Sequence, residues 1–213
     1  MFVIAIFQKN LESKLIRFAR LGLCLAIISG CTSVRPSIDL PNIATWDLRQ
    51  EALGQLDDWE FRGRIAVKSE EEGFNGHLNW VQDGDKFFAT VGGPLGVGAV
   101  KIKGDRWKVS LTDKDGIITV LEDPETELYL RYGWTVPINS FRYWVLGIED
   151  PSTKVKAEVD EFGRLVSLRQ NDWELKISRY HESAGQEMPY NLTVSNPDTR
   201  VRMVIDKWTF YQR

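Results

Sequence analysis

The chain has 213 residues, of which 43% are hydrophobic and 27% are charged, and its formal net charge is −3. This composition is typical of one globular domain with a sizeable core, and it excludes collagen-like and disordered chains. The first thirty residues contain four basic residues and one acidic residue, so the remainder carries a charge of −6. Because an acidic surface repels polyphosphates, we expect no nucleic-acid partner.

Residues 1–30 have the pattern of a signal peptide. A basic stretch over 14–20 precedes an apolar run of nine residues, Leu21 to Ser29. That run is shorter than the roughly twenty residues that a bilayer span needs, but it fits the apolar region of a signal peptide. It ends in Ile28-Ser29-Gly30-Cys31, which resembles a bacterial lipobox, the site of lipid attachment and cleavage. We therefore predict that lipidated Cys31 is the first mature residue and that residues 31–42 form a tether.

Residues 43–213 are predicted to form one domain that is mainly β with some α. Apolar residues recur at every fourth position over 43–56, which predicts a helix. From Trp59 to Lys68, and in three later segments, apolar and polar residues alternate, as is typical of antiparallel strands with one buried face. Turn sequences such as Asp-Gly separate the apolar runs at hairpin distances. We expect about eleven strands in a single antiparallel sheet, which curves because of its size.

The strand series is interrupted between residues 123 and 147. Asp123 is suited to cap a helix, Pro124 to occupy its first position, and Gly133 to end it. A second short helix is predicted over 140–146 and ends at Gly147. The predicted order is therefore a helix, six strands, two helices and about five strands, with about three helices covering the concave face of the sheet.

The sequence contains no recognisable catalytic or metal-binding motif. Both cysteines, Cys24 and Cys31, precede the domain, and the two histidines, His77 and His181, have no nucleophile or carboxylate at a spacing that suggests a relay. The patterns of α/β-hydrolases, zincins, P-loops and redox pairs do not occur. We therefore predict that the protein is not an enzyme and has no metal site and no cofactor.

Large aromatic residues occupy the apolar positions of several predicted strands. Two interpretations stay open: these residues fill a core, or they line a pocket for the acyl chains of an amphiphile. Under the second interpretation the candidate residues are Trp59, Phe61, Ile65, Trp80, Trp107, Val109, Trp144 and Trp173.

The segment 91–100 (VGGPLGVGAV) joins two predicted strands without a single charged or polar side chain. Loops are normally solvated, and an apolar tip promotes aggregation unless it has a partner. Leu95, flanked by Pro94 and Gly96, therefore either projects as a tip that inserts into a membrane or partner, or folds back over the core.

Taken together, these segments resemble the LolB family of outer-membrane lipoprotein receptors. The likeness is most specific over Pro137 to Gly147 (PINSFRYWVLG) and extends to the lipobox, Trp59-x-Phe61-x-Gly63, Gly76-x-Leu78-x-Trp80 and Pro94-Leu95-Gly96. The resemblance implies a half-barrel sheet with helices over its open side and an enclosed apolar cavity. It also implies that the loop tip Pro94-Leu95-Gly96 acts in membrane insertion.

The resemblance further implies that a LolA-type periplasmic carrier delivers lipidated proteins to this chain. The chain would insert them among the outer-membrane lipids without using a nucleotide. It would act as a monomer, anchored by lipid in the inner leaflet and facing the periplasm. Two alternatives stay open. One is a lipid-binding sensor or regulator on the same fold, and the other is a structural lipoprotein of an envelope assembly with a filled core.

Overall fold

The computed structural model describes residues 35–70, 73–93, 99–105, 107–132, 135–153, 155 and 157–212. All of the described helices and strands belong to the unit Pro36–Arg213. The predicted signal peptide, Cys31 and the loop tip Pro94-Leu95-Gly96 lie outside the described residues.

Twelve strands and three helices make up the described fold. In chain order they are β1 Ser37–Ile38, α1 Trp46–Gly54, β2 Asp58–Lys68, β3 Gly73–Asp83, β4 Lys86–Gly92, β5 Val100–Gly104, β6 Val109–Thr112, β7 Ile118–Leu121, α2 Pro124–Tyr132, α3 Ile138–Trp144, β8 Ala157–Val159, β9 Leu165–Gln170, β10 Trp173–Ser183, β11 Gln186–Ser195 and β12 Arg200–Tyr211. The predicted order of one helix, six strands, two helices and five strands is confirmed. The two-residue strand β1 has no sign in the sequence pattern.

All the strands join one antiparallel sheet in the order β7-β6-β5-β4-β3-β2-β12-β11-β10-β9-β8, and β1 pairs with the end of β12. Within the described part of the chain the edge strands β7 and β8 do not pair, so the sheet is open. The predicted class, a single antiparallel half-barrel with helices, is confirmed.

A bulge bends the centre of the sheet. The register between β2 and β12 shifts between Ile205 and Lys207, opposite Gly63. A Cβ atom at Gly63 would collide with the carbonyl oxygen of Val204. Only glycine therefore permits this close approach. Because bulges increase the local twist and bend the strand, this site curves the two central strands.

The strand register defines two ends of the sheet. At the tail end, where the described chain enters, Ser37 pairs with Tyr211, and the β3–β4 and β5–β6 turns lie at the same end. At the loop end lie the β2–β3 and β11–β12 connections and the residues that flank the 94–98 segment, Gly93 and Ala99.

Part of the predicted tether is docked on the tail end. The Leu40 amide donates a hydrogen bond to the Ala184 carbonyl at 2.6 Å, and Gln186 Nε2 donates to the Pro41 carbonyl at 2.8 Å. The side chains of Leu40 and Ile43 are buried. The folded chain therefore includes residues that precede the predicted boundary at residue 43.

Helix α1 buries a different face from the predicted one. Leu48 belongs to the predicted apolar stripe but is 53% exposed, whereas Arg49 and Leu53 are buried. Arg49 donates to Gln186 Oε1 at 3.1 Å and to the Glu187 carbonyl at 2.8 Å. Desolvation by burial lowers the pKa of Arg49. These acceptors are distant in sequence, so helical periodicity does not reveal them.

The two later helices begin and end close to the predicted residues. Asp123 Oδ1 accepts from the Thr126 amide at 3.3 Å, and Glu127 Oε1 accepts from the Glu122 amide at 2.9 Å, which caps α2. Helix α3 begins at Ile138, two residues before its predicted start. The chain then turns at Gly147, whose φ is 75°, a conformation that favours glycine.

Candidate functional site

An apolar cavity of about 430 Å³ lies between the inner face of β2–β6 and the helices α2 and α3. Its volume falls in the range of small-ligand sites. The lining residues are almost all apolar: Ile65, Val67, Phe74, Asn75, Leu78, Trp80, Phe87, Ala89, Val91, Gly92, Gly93, Val100, Ile102, Leu111, Leu128, Val136, Ile138 and Phe141. The indole N–H of Trp80 is already bonded to Gln82 Oε1 at 3.1 Å. The cavity therefore suits a hydrocarbon ligand rather than a polar one.

Strand alternation places these side chains on one face. Trp80 pairs with Ala89, Ala89 with Ile102, and Ile102 with Leu111, so one row of inward residues crosses β3 to β6. The helices add few side chains to the opposite wall: Leu128 comes from α2, and Ile138 and Phe141 come from α3. A cavity remains because the helices do not fill the space over this row.

The eight residues that were predicted to line an acyl-chain pocket fall into three groups: cavity-lining, buried elsewhere in the core, and exposed. Ile65 and Trp80 line the cavity. Five others are buried in the core but do not line it: Trp59, Phe61, Val109, Trp144 and Trp173. The last, Trp107, is 84% exposed.

The buried aromatics pack against each other beside the cavity. The ring of Trp208 lies 5.7 Å from Trp59 and 5.2 Å from Phe61, in tilted contacts. Trp144 Nε1 donates to Gln170 Oε1 at 2.9 Å in the buried interior. Both sequence interpretations therefore apply, each to a different part of the sheet: aromatic residues fill one part and contribute to a cavity wall in the other.

The placement of Trp107 in the apolar phase of a strand is wrong. Asp105 Oδ1 accepts hydrogen bonds from the amides of Trp107 at 2.8 Å and Lys108 at 3.0 Å. These two bonds lower the pKa of Asp105, and they form a tight turn. The strand consequently begins at Val109, and the Trp107 side chain is left in solvent.

Sequence reasoning missed most of the cavity wall because it weighted aromatic residues. Val91, Val100 and Ile102 have the same inward phase as the predicted residues, but they are small or β-branched. Leu128 and Val136 come from α2 and the segment after it. Alternation identifies the inward positions, and only three-dimensional packing shows which of them face empty space.

A polar cleft of about 470 Å³ adjoins the cavity towards the tail end. The two share Trp80, Phe87 and Ile138 in their walls. The rings of Trp80 and Phe87 are stacked with their centroids 4.5 Å apart. The other lining residues of the cleft are mostly polar or charged: Gln82, Asp85, Asp105, Asn139, Arg142, Tyr143, Asp150, Pro151 and Ser152.

Arg142 is the one cation among the described residues that line the polar cleft. Its Nη1 lies 3.4 Å from Asp85 Oδ1, and its guanidinium lies 5.1 Å from the centre of the Tyr143 ring. Asp150, on the same cleft wall, accepts from Ser140 Oγ at 2.7 Å and from the Ser152 amide at 2.9 Å.

The histidines stand apart from both the cavity and the cleft. His77 lines a groove on the outer face of the sheet, and His181 stacks on Tyr190 with centroids 4.1 Å apart. Among the described residues, no group of three or more His, Cys, Asp or Glu could hold a metal ion. In the same residues, no helix is long and apolar enough to cross a membrane.

The fold and the cavity define a class of protein: an open antiparallel half-barrel that encloses an apolar cavity beneath helices. A solved structure with this architecture is the LolA superfamily protein NE2245 from Nitrosomonas europaea. The TM-score is 0.51 over 80% of this chain and 96% of that chain, at 7% sequence identity. This likeness concerns the fold alone.

The chain belongs to the LolB family. The family described as "Outer membrane lipoprotein LolB" matches residues 57–208. The chain is 34% identical over 194 residues to the outer-membrane lipoprotein LolB of Nitrosococcus oceani, covering 90% of this chain and 96% of the relative. It is 30% identical over 187 residues to LolB of Pseudomonas fluorescens, covering 86% and 91%. The family predicted from the motifs is confirmed, and the protein is an outer-membrane lipoprotein receptor.

Proposed function

We propose that the protein accepts lipidated proteins from a LolA-type periplasmic carrier and inserts them into the outer membrane without a nucleotide. The observation that carries this proposal is the apolar cavity of about 430 Å³. Each acyl CH₂ exposed to water costs about 0.8 kcal/mol, so an acyl chain needs a sheltered site while it crosses an aqueous compartment. The cavity offers such a site to the chains of a cargo protein.

Transfer is proposed to run down a gradient of affinity, with no covalent step and with the protein acting as a monomer. Apolar contacts are not directional, so the cavity walls hold a hydrocarbon chain without fixing it in one pose. Release into the bilayer then exchanges one apolar surrounding for another. Net transfer requires the acyl chains to be more stable in the bilayer than in the cavity. Moderate affinity of the cavity for acyl chains therefore serves the function better than very tight binding.

Transfer of a labelled lipoprotein tests this function. The lipoprotein is supplied as a complex with the carrier, and its arrival in outer-membrane vesicles is measured with and without the full chain in those vesicles. We expect transfer to depend on the chain and not on ATP. Transfer at the same rate without the chain would contradict the proposal.

Cys31 is proposed to carry the lipid anchor, in the inner leaflet and facing the periplasm. The support is the lipobox Ile28-Ser29-Gly30-Cys31. We expect mass spectrometry of the membrane-extracted protein to give an N-terminal peptide that begins at an acylated Cys31. An unmodified Cys31 in that fraction would contradict the anchor.

Pro94, Leu95 and Gly96 are proposed to guide cargo into the bilayer. Gly92 and Gly93, which immediately precede them, line the cavity at the loop end of the sheet. The last described residues before this segment therefore lie at the cavity wall. An apolar tip at this position favours entry into the bilayer beside the departing acyl chains, whereas a carboxylate opposes it.

The change Leu95→Glu tests this role. We expect unchanged thermal stability, normal acceptance of cargo from the carrier and a loss of membrane insertion. Leu130→Glu on α2 is the matched control, because Leu130 is 76% exposed and distant in sequence from the 94–98 segment. If Leu95→Glu instead lowers the stability by a few kcal/mol, Leu95 folds back onto the core. Normal insertion by a stable Leu95→Glu variant would contradict the role.

The same assays separate the two alternative functions. A structural lipoprotein with a filled core is disfavoured by the cavity. A lipid-binding sensor would bind acyl chains through the same walls but would not increase the transfer of cargo into vesicles.

A further inference from the structure

We infer that the polar cleft binds the neutral peptide segment that follows the acylated residue of a cargo protein, so that Arg142 and Asp85 select lipidated polypeptide over phospholipid. This inference rests on the proposed function, which places acyl chains in the adjoining cavity. The ligand class is therefore an uncharged peptide backbone joined to acyl chains, rather than an anionic headgroup joined to them.

The two compartments are continuous along the same strands. On β3, Leu78 lines only the cavity, Trp80 lines both compartments, and Gln82 lines only the cleft. On β4, Ala89 lines only the cavity and Phe87 lines both. The wall therefore changes from apolar to polar within a few residues towards the tail end. A molecule with a hydrocarbon part and an adjacent polar part matches this change.

Arg142 has hydrogen-bonding capacity that the described residues do not use. Its side chain is only 14% exposed, yet its one hydrogen bond within the described ranges is the 3.4 Å contact with Asp85. A guanidinium has five N–H donors, so the remaining donors of Arg142, which lines the cleft, can bind acceptors that enter it. Helix α3 also supplies Phe141 to the cavity, so one helix presents adjacent residues to the two compartments. Carbonyl oxygens of a peptide beside bound acyl chains would satisfy these donors.

The charged residues of the cleft favour a neutral peptide segment over an anionic phosphodiester. Among the described residues that line the cleft, Asp85, Asp105 and Asp150 carry carboxyl groups and Arg142 is the one cation. Such an excess of acidic groups repels a phosphodiester, because like charges at close range oppose binding. A neutral peptide segment offers carbonyl acceptors to Arg142 and adds no negative charge to the cleft. The cleft therefore fits a peptide better than a phospholipid headgroup.

The test compares two ligands with the same acyl chains. The full chain is held in nanodiscs of dioleoylphosphatidylcholine. One ligand is a dansyl-labelled neutral tetrapeptide whose N-terminal cysteine carries a dioctanoylglyceryl group. The other is dioctanoylphosphatidylethanolamine with dansyl on its amine, which leaves an anionic phosphodiester. Binding is measured by energy transfer from the protein's tryptophans, and empty nanodiscs provide the partitioning background.

Arg142→Gln is expected to weaken binding of the lipopeptide about tenfold, the effect of one lost hydrogen bond to a charged group. Binding of the phospholipid is expected to weaken by no more than about threefold, the effect of removing one partly exposed charge, which is less than that loss. Arg142→Lys should recover part of the lipopeptide affinity, because it keeps a cationic donor. Asp85→Asn should strengthen phospholipid binding about threefold, since an exposed charge contributes below about 1 kcal/mol. The matched control is Arg64→Gln, which removes a cation from the outer face of the sheet, where Arg64 pairs with Asp206.

Three results would overturn the inference: equal losses for both ligands, a larger loss for the phospholipid, or no loss for either. Ala89→Phe, which fills the cavity, tests the proposed function separately and should abolish binding of both ligands. If Ala89→Phe leaves both affinities unchanged, the acyl chains lie elsewhere and the proposed function fails. If only the Arg142 variants behave like the wild type, the cavity role stands and the cleft inference fails.

Discussion

The inner face of the sheet has two halves that follow the same rule of alternation and reach opposite results. In the hollow half, β3–β6 with α2, inward residues such as Ala89, Val91 and Val100 line an open cavity. In the filled half, β9–β12 with α1, buried residues include Met188 and Phe210, both 0% exposed. Alternation creates an inward face in both halves, but the side-chain volume above that face decides whether it is closed.

The elements that cover the two halves also differ in how much side-chain volume they supply to the interior. After α3, the buried run Trp144, Val145 and Leu146 packs into the core, and Gln170 ties Trp144 in place through its indole N–H. Over the hollow half, α2 contributes Leu128 to the cavity wall. A protein interior normally packs to crystal-like density. The open space therefore reflects a cover that supplies too little volume.

The largest expected effect comes from opening the filled half. Trp144→Ala should lower the free energy of unfolding by about 3–5 kcal/mol, because it leaves a void and removes one of the two N–H donors to Gln170 Oε1. Urea denaturation measures the loss. The control is Trp107→Ala, which removes an exposed indole and should change stability by less than about 0.5 kcal/mol. A loss below about 1 kcal/mol for Trp144→Ala would contradict the distinction between the halves.

Adding side-chain volume should destabilise the filled half but not the hollow half. In the filled half, Val194→Phe is expected to cost about 1–3 kcal/mol through overpacking. In the hollow half, Ala89→Leu should leave stability unchanged or slightly raised, while it lowers the affinity for a fluorescent apolar probe. Thermal unfolding and probe titration on the same two variants give both quantities. Equal destabilisation by the two changes would show that the space beside Ala89 closes in solution.

Removing a helix cap should affect binding in one half only. Asp123 caps α2, and Thr45 caps α1 by accepting a hydrogen bond from the Leu48 amide at 3.4 Å. Asp123→Ala and Thr45→Ala should each cost about 1 kcal/mol. Because α2 forms part of the cavity wall, we expect the Asp123 variant alone to weaken probe binding. Circular dichroism melts and probe titrations test this pair. Equal probe affinities in the two variants would mean that α2 does not shape the cavity.

The smallest effect is a difference in pH dependence between two carboxyl groups. Burial opposes ionisation of Asp160, but hydrogen bonds from Arg164 and Phe162 outweigh it, so the pKa of Asp160 is lowered. Its stabilising contribution is then present above the unfolded-state pKa of about 4 and is lost as the pH falls through the folded-state value. Asp160→Asn should therefore cost less than about 1 kcal/mol at pH 7, and this cost should shrink as the pH falls below about 4.

Glu125 on α2 should show the opposite sign. Burial, with a contribution from Asp123, raises the pKa of Glu125. Its ionisation therefore opposes folding as the pH rises above the unfolded-state value of about 4.3. Glu125→Gln should stabilise the protein slightly at pH 7 and leave it unchanged at pH 3. Urea denaturation at several pH values tests both carboxyl groups. If the two variants change the free energy of unfolding at pH 7 in the same direction, the opposite roles of Asp160 and Glu125 are contradicted.

The sequence by itself determined the order of elements and much of their boundaries, because these depend on neighbouring residues. Alternation set the inward face of β2, Asp123 and Glu127 capped α2, and the turn at Gly147 ended the segment after α3. The motif over Pro137 to Gly147 also indicated the family. Each of these features is a local pattern that needs no knowledge of distant contacts.

Only the tertiary structure decided which inward side chains meet empty space and which do not. Arg49 is buried because Gln186 and Glu187 accept its hydrogen bonds across the fold. Trp107 is exposed because Asp105 forms a turn before the strand begins. The cavity beside Ala89 exists because the opposite wall supplies too few side chains. Cavity volume is the difference between the space that the backbone encloses and the side chains that enter it, and a sequence pattern specifies only the latter.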